Sequence, residues 1–229
     1  MSAYKGVLLD FNGTLFFDSK MHIDAFKEYY QEKGKEIPSE EYIVKSIFGK
    51  SNPLIYAENF AKDENDTDHE TFSKEKEEKY RRICLASPEL MHYAKGAVEM
   101  LDYLKEHHIP YALATGSQRD NLNFYFDHLN LGRWFDESNT VYGDGTFPGK
   151  PAPDIYLLAA KKIGLDASEC VVFEDGTSGI ISAQSAGAAV VCVYEEFLPS
   201  PITDEACPKM IYHDFTNWKE ILKHFGILR

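Results

Sequence analysis

Cysteine is scarce in this chain, and the four present, Cys84, Cys170, Cys192 and Cys207, stand far apart. None forms a Cys-x-x-Cys pair and their spacings match no zinc template. A zinc module and a disulfide scaffold are therefore excluded, and reduced thiols are expected. Positive charge is also short. The 24 Lys and Arg residues face 37 Asp and Glu, giving a net charge of −13. Nucleic-acid binding draws its affinity from a basic face, so no nucleic-acid partner is expected. Long apolar runs are missing too: Ala188 to Tyr194 is far below the ~20 residues that a membrane span needs. The N-terminus has no basic stretch leading into an apolar one, so no secretory leader is expected. These absences together predict a cytoplasmic protein with no membrane partner, whose polar surface permits a monomer. An acidic chain must hold any anionic substrate by local devices: a metal ion, one or two lysines, and helix N-termini.

What is present is an alternation of strand-like and helical segments. Apolar strand-like runs occur at Gly6–Asp10, Pro110–Ala114, Thr140–Tyr142, Cys170–Phe173 and Ala189–Tyr194. Helical patterns fall at about 96–107, 118–129, 153–163, 177–186 and 217–225. Alternating β and α predicts an α/β fold with a doubly wound parallel sheet. About a hundred residues separate the first two strands, far more than an ordinary crossover. Within them the pattern is helical, at Lys20–Lys33, Ser39–Phe48, Pro53–Lys62 and about His69–Leu85. We therefore expect an α/β core from residues 1–15 and 91–229, with an all-helical cap inserted at 16–90. The charged stretch Lys62–Lys79 reads as a solvated helix face.

Four short motifs fall at C-terminal strand ends, where open α/β sheets bind ligands. Asp10-Phe11-Asn12-Gly13-Thr14 follows the first strand and Thr115-Gly116-Ser117 the second. Lys150-Pro151-Ala152-Pro153-Asp154 precedes a helix after the third. Glu174-Asp175-Gly176 follows the fourth. Each alone has an ordinary explanation: a turn, an N-cap, a surface lysine. In order and at these positions they form a constellation. Gly179, Ala183, Ala186 and Gly187 read as small residues that let a helix pack closely on the sheet.

The segments D-F-N-G-T-L (10–15), A-T-G-S (114–117), G-K-P-A-P-D (149–154) and F-E-D-G-T-S-G-I (173–180) resemble the haloacid dehalogenase-like hydrolase superfamily. The resemblance covers nearly the whole chain and is strongest to the helical-cap branch of β-phosphoglucomutases and phosphoglycolate phosphatases. It implies a Rossmann-like core and a Mg²⁺-dependent phosphohydrolase acting on a small phosphorylated metabolite through an aspartyl phosphate at Asp10. A carboxylate that attacks a phosphoryl group splits one hard displacement into two. Two anions meet only with a hard cation between them, and Mg²⁺ takes oxygen ligands. By the resemblance these are Asp10, the backbone carbonyl of Asn12, and Asp175, with Glu174 beside it. Gly13, Thr14, Thr115, Gly116, Ser117 and Lys150 are the implied phosphate-binding residues, and Lys150 is also the counter-charge of the reaction.

The chain departs from this pattern at one catalytic position. The phosphatase branch carries a second aspartate two residues after the nucleophile, as acid and then base; here that residue is Asn12. Losing such a group costs about 10²–10⁴ in rate. Four readings stand open: a leaving group that needs no proton; another acid, of which His22 is the nearest candidate; a catalytically weak or inactive member that binds phosphate ligands; or an altered Asn12, Asn-Gly being prone to deamidation. His22 also matches a histidine of the sugar-phosphate mutases. Lys50, in the loop Gly49-Lys50-Ser51-Asn52, stands where those mutases place a substrate-phosphate arginine. A mutase is the remaining alternative, weakened by the missing aspartate and arginine.

Overall fold

The computed structural model describes residues 4–63, 65–195 and 208–228. Cys207 lies outside these residues, and Cys84, Cys170 and Cys192 are free, buried thiols. The chain divides into two compact units, residues 18–91 and the remainder.

The larger unit is built on a six-stranded, wholly parallel sheet. Its strands are β1 (Gly6–Leu9), β2 (Tyr111–Thr115), β3 (Thr140–Tyr142), β4 (Cys170–Glu174), β5 (Ala189–Val193) and β6 (Met210–Tyr212). Their order is β3-β2-β1-β4-β5-β6, so the winding reverses between β1 and β4. β1, β4 and β5 are buried along their whole length. Strands covered on both faces by helices are apolar throughout rather than alternating, as Gly-Val-Leu-Leu and Cys-Val-Val-Phe show. Leu8, Val172, Val190 and Cys192 face a layer built from α7 (Asp154–Lys162) and α8 (Thr177–Ser185). On the other face lie α5 (Ala97–Glu106), α6 (Arg119–His128) and α9 (Trp218–His224), where Phe173 meets Phe215 with centroids 5.4 Å apart.

The register brings two strand ends level. Leu9 pairs with Phe173, and the Asp10 N–H donates to the Phe173 carbonyl at 3.1 Å. Asp10 therefore leaves β1 directly beside Glu174, the last residue of β4. Some details differ from the expectation, Glu174 among them, which ends its strand instead of following it. β2 begins after Pro110 and includes Thr115, so Thr115 ends that strand instead of following it. β6 carried no recognised signal: it is three residues long and partly exposed, too short to show an alternation.

The smaller unit is helical: α1 (Ser19–Glu32), a short α2 (Glu40–Tyr42), α3 (Asn52–Asn59) and α4 (His69–Ala86). Ser39 caps α2, its hydroxyl accepting from the Tyr42 N–H at 3.2 Å. α2 then widens into a π-helical segment, Ile43–Ile47. The core is aromatic and branched, including Ile23, Phe26, Tyr29, Ile43, Ile55 and Phe72. One expectation for the charged stretch fails. Lys76 is only 3% exposed, because its ammonium is matched inside the unit: it donates to Glu77 at 2.8 Å and lies 4.8 Å from the Phe26 ring centroid. Among the described residues, no helix is long and apolar enough to cross a membrane.

Candidate active site

At the C-terminal edge of the sheet, between β1 and β4, three carboxylates converge. One oxygen of each of Asp10, Glu174 and Asp175 lies within 4.8 Å of the others. Glu174 ends β4 and Asp175 begins the turn into α8, so the two follow one another at the end of a rigid strand. Asp10 reaches them because β1 and β4 are neighbours. Gly13 makes this approach possible. Its φ is +75°, and a Cβ there would sit 2.1 Å from Asp175 Oδ2. Any side chain at 13 would be both strained and in collision.

Lys150 supplies the ammonium facing the cluster. Its Nζ donates to Asp10 Oδ1 and to Glu174 Oε1, each at 2.6 Å. Burial pushes the Lys150 pKa down, but the Asp10 and Glu174 charges more than offset it, and the group stays cationic. Thr14 is fully buried and its hydroxyl donates to Asp175 Oδ1 at 3.0 Å, with Asp10 Oδ2 at 3.4 Å. Asp175 is held well above the usual carboxylate range by burial first, then by the Glu174 and Asp10 charges; Lys150 and Thr14 counter this in part. Three carboxylates against one ammonium leave surplus negative charge in a buried place. Such an oxygen-rich cluster suits a hard divalent cation, which would relieve the crowding.

Asn12, half-buried, leaves β1 toward β2. Its Oδ1 accepts from Ser117 Oγ at 2.7 Å and its Nδ2 donates to Tyr125 Oη at 2.8 Å. Ser117 is placed in turn by Thr115, whose Oγ1 accepts the Ser117 N–H at 3.1 Å. Gly116 lies exposed between them, with open space where a Cβ would be. The sheet thus brings together Asp10, Asn12, Gly13, Thr14, Thr115, Gly116, Ser117, Lys150, Glu174 and Asp175.

Two further candidates, His22 and Lys50, belong to the helical unit. His22 stacks on Tyr80 with centroids 3.9 Å apart. Its Nε2 lies 3.2 Å from Asp18 Oδ2 and its Nδ1 3.0 Å from Lys76 Nζ. Tyr80 donates to the same Asp18 oxygen at 2.5 Å. Lys50 donates to Glu58 at 2.6 Å.

Two residues of the larger unit, Tyr156 and Tyr125, were not among the candidates, and Gly179, expected to allow close helix–sheet packing, does so at the site. Tyr156 is fully buried; its hydroxyl donates to Glu174 Oε1 at 3.0 Å, and Lys150 Nζ lies 5.2 Å from its ring centroid. Burial, and then the Glu174 charge, raise its phenol pKa well above the ordinary value. Tyr125 holds Asn12. Gly179 was read as a packing residue, and what packs on it is the site itself: a Cβ at 179 would lie 1.6 Å from Glu174 Oε1. The one available signal was Tyr156 lying two residues beyond the Lys150–Asp154 motif.

The family model described as haloacid dehalogenase-like hydrolase matches residues 4–187. Fructose-1-phosphate phosphatase YqaB of Escherichia coli is 30% identical over 192 residues, covering 83% of this chain and 96% of that protein. A phosphorylated carbohydrates phosphatase of Thermotoga maritima is 30% identical over 187 residues, covering 80% and 82%. Among solved structures, a hydrolase of this family (family IA, variant 3) from Entamoeba histolytica superposes with a TM-score of 0.83. It is 33% identical, with 97% of this chain and 99% of that one covered.

Proposed function

This chain belongs to the haloacid dehalogenase-like hydrolase family, and from that premise we propose that it is a Mg²⁺-dependent phosphatase that cleaves a small phosphorylated metabolite through an aspartyl phosphate at Asp10. The observation that carries the proposal is the placement of Asp10 among Lys150, Thr14, Glu174 and Asp175 at the switch point of the sheet. Asp10 attacks the phosphorus. Lys150, already on Asp10 Oδ1 at 2.6 Å, keeps a positive charge beside the transferring phosphoryl group. The Thr115 hydroxyl, at the end of β2, offers a donor to its oxygens. Asp10, the Asn12 carbonyl and Asp175, with Glu174, would hold the cation, which neutralises the repulsion between substrate and carboxylate. Tyr156 and the Gly176 N–H, 3.0 and 2.8 Å from Glu174, keep that carboxylate in place.

Hydrolysis is preferred over mutase chemistry because a mutase must grip a second phosphate. Lys50, the cation considered for that task, is paired with Glu58. The two named phosphatases act on phosphorylated carbohydrates, and a small phosphorylated metabolite is the class carried over here. The test is phosphate release with Mg²⁺ and with chelator, from the native protein and Asp10→Asn. Release that needs both Mg²⁺ and Asp10 is expected; undiminished release by Asp10→Asn would overturn the proposal.

A further inference from the structure

Asn12 is held as an amide. Ser117 and Tyr125 engage its two ends at 2.7 and 2.8 Å, and an amide neither gives nor takes a proton at neutral pH. The chemistry that could convert it to an acid is opposed by the local backbone. Succinimide formation needs the Gly13 nitrogen to attack the Asn12 side-chain carbon, and that N–H is donated to the Phe16 carbonyl at 2.8 Å. Three candidate substitutes for that acid, Lys150, Tyr156 and His22, are committed elsewhere. Lys150 bridges Asp10 and Glu174, and Tyr156 donates to Glu174. His22 has Asp18 at one ring nitrogen and Lys76 at the other, within the helical unit.

Resting on the phosphatase reading, we propose that this chain is specialised for phosphoryl donors whose leaving group departs as a stable anion, acyl phosphates and other mixed anhydrides, and that its phosphoryl-Asp10 outlives the leaving group. In the first step the Asp10 carboxylate oxygen bonds to phosphorus. The phosphorus–oxygen bond to the leaving group breaks, and its electron pair stays on that oxygen. A carboxylate leaves this way unaided, because its conjugate acid has a pKa of about 4. An alkoxide, whose conjugate acid lies nearer water's ~15.7, needs the proton that Asn12 does not have. In the second step a water oxygen bonds to phosphorus, the electron pair returns to Asp10, and the surplus proton passes to solvent. No choice of substrate relieves this step. With no base at position 12 it is slow and common to all donors.

The experiment is rapid-quench and steady-state kinetics with Mg²⁺ on the native protein and Asn12→Asp, after intact mass has shown that Asn12 is unmodified. The donors are aryl and acyl phosphates with leaving-group pKa from about 4 to about 10, and a hexose phosphate. For the native protein, kcat/KM is expected to fall steeply as leaving-group pKa rises while kcat stays the same. A burst of one leaving group per Asp10 is expected, with labelled phosphate retained on the chain. Asn12→Asp is expected to flatten the dependence, abolish the burst and raise kcat by about 10²–10⁴. A flat kcat/KM dependence in the native protein, or a hexose phosphate with a kcat/KM equal to that of acetyl phosphate, would overturn the inference and leave an Asp10-dependent phosphatase standing. No phosphoryl transfer to Asp10 from any donor would remove the phosphatase reading and this inference with it.

Discussion

At the residue scale the arrangement turns on how one carboxylate is held. Glu174 is 2% exposed and receives Lys150, Tyr156 and the Gly176 N–H, while the missing Cβ of Gly179 gives it room. Groups that orient a metal-holding carboxylate affect cation affinity about 10–100-fold when lost. Tyr156→Phe keeps the ring near Lys150 and removes the hydroxyl from Glu174 Oε1. We expect the Mg²⁺ concentration for half-maximal activity to rise by at least about tenfold, with substrate KM at saturating Mg²⁺ little changed. A Mg²⁺ titration of both proteins checks this; an unchanged half-saturation would show that the hydroxyl does not position Glu174. Asp10, Lys150, Glu174 and Asp175 were legible in the sequence only as a set, because each motif alone has an ordinary use and it is their order at successive strand ends that singles them out. Tyr156 and Tyr125 could not. Their roles arise only when α7 and α6 pack against the sheet edge, and within their helices they read as core aromatics.

At the element scale, the helical unit is joined across α1 and α4 by a buried polar set. Asp18 and His22 lie four residues apart at the start of α1, and Lys76 and Tyr80 four apart on α4, so each pair shares one helix face. Asp18 is 1% exposed and receives the Tyr80 hydroxyl at 2.5 Å. Removing a donor from a buried acceptor costs about 1–3 kcal/mol. Tyr80→Phe, which keeps the ring stacked on His22, is therefore expected to destabilise the protein by about that amount. Urea unfolding followed by helix signal measures it; a loss below ~0.5 kcal/mol would mean Asp18 is satisfied without Tyr80. This set was invisible in the sequence. A run as charged as Lys62–Lys79 reads as solvated unless the partners of each charge are known, and those of Lys76 come from two helices. The helix expected over Ser39–Phe48 hid its π-helical turn in the same way, because a 3.6-residue period cannot register one wider turn. The long apolar strands were plain because a buried parallel strand needs an unbroken apolar run, a requirement that three-residue β6 at the sheet's edge escapes.

At the scale of the whole molecule, a charge of −13 opposes the approach of any phosphorylated substrate, and the site adds to the problem with three carboxylates around one lysine. The attraction that the proposed chemistry requires is short-ranged: Lys150, the Thr115 hydroxyl and the cation that the carboxylates would hold act over a few ångströms. The repulsion is long-ranged and is therefore the part that salt removes. The Debye length shrinks from about 30 Å at 0.01 M to about 8 Å at 0.15 M ionic strength. Across that range, with free Mg²⁺ held saturating, kcat/KM for a dianionic donor is expected to rise, by up to about tenfold, while kcat changes little. An enzyme that gathers phosphate esters with a basic surface would show the opposite slope. Steady-state rates at stepped KCl concentrations decide between the two. A fall in kcat/KM with salt would mean that Lys150 and the cation project a positive field beyond the mouth of the site, strong enough to override the acidic surface.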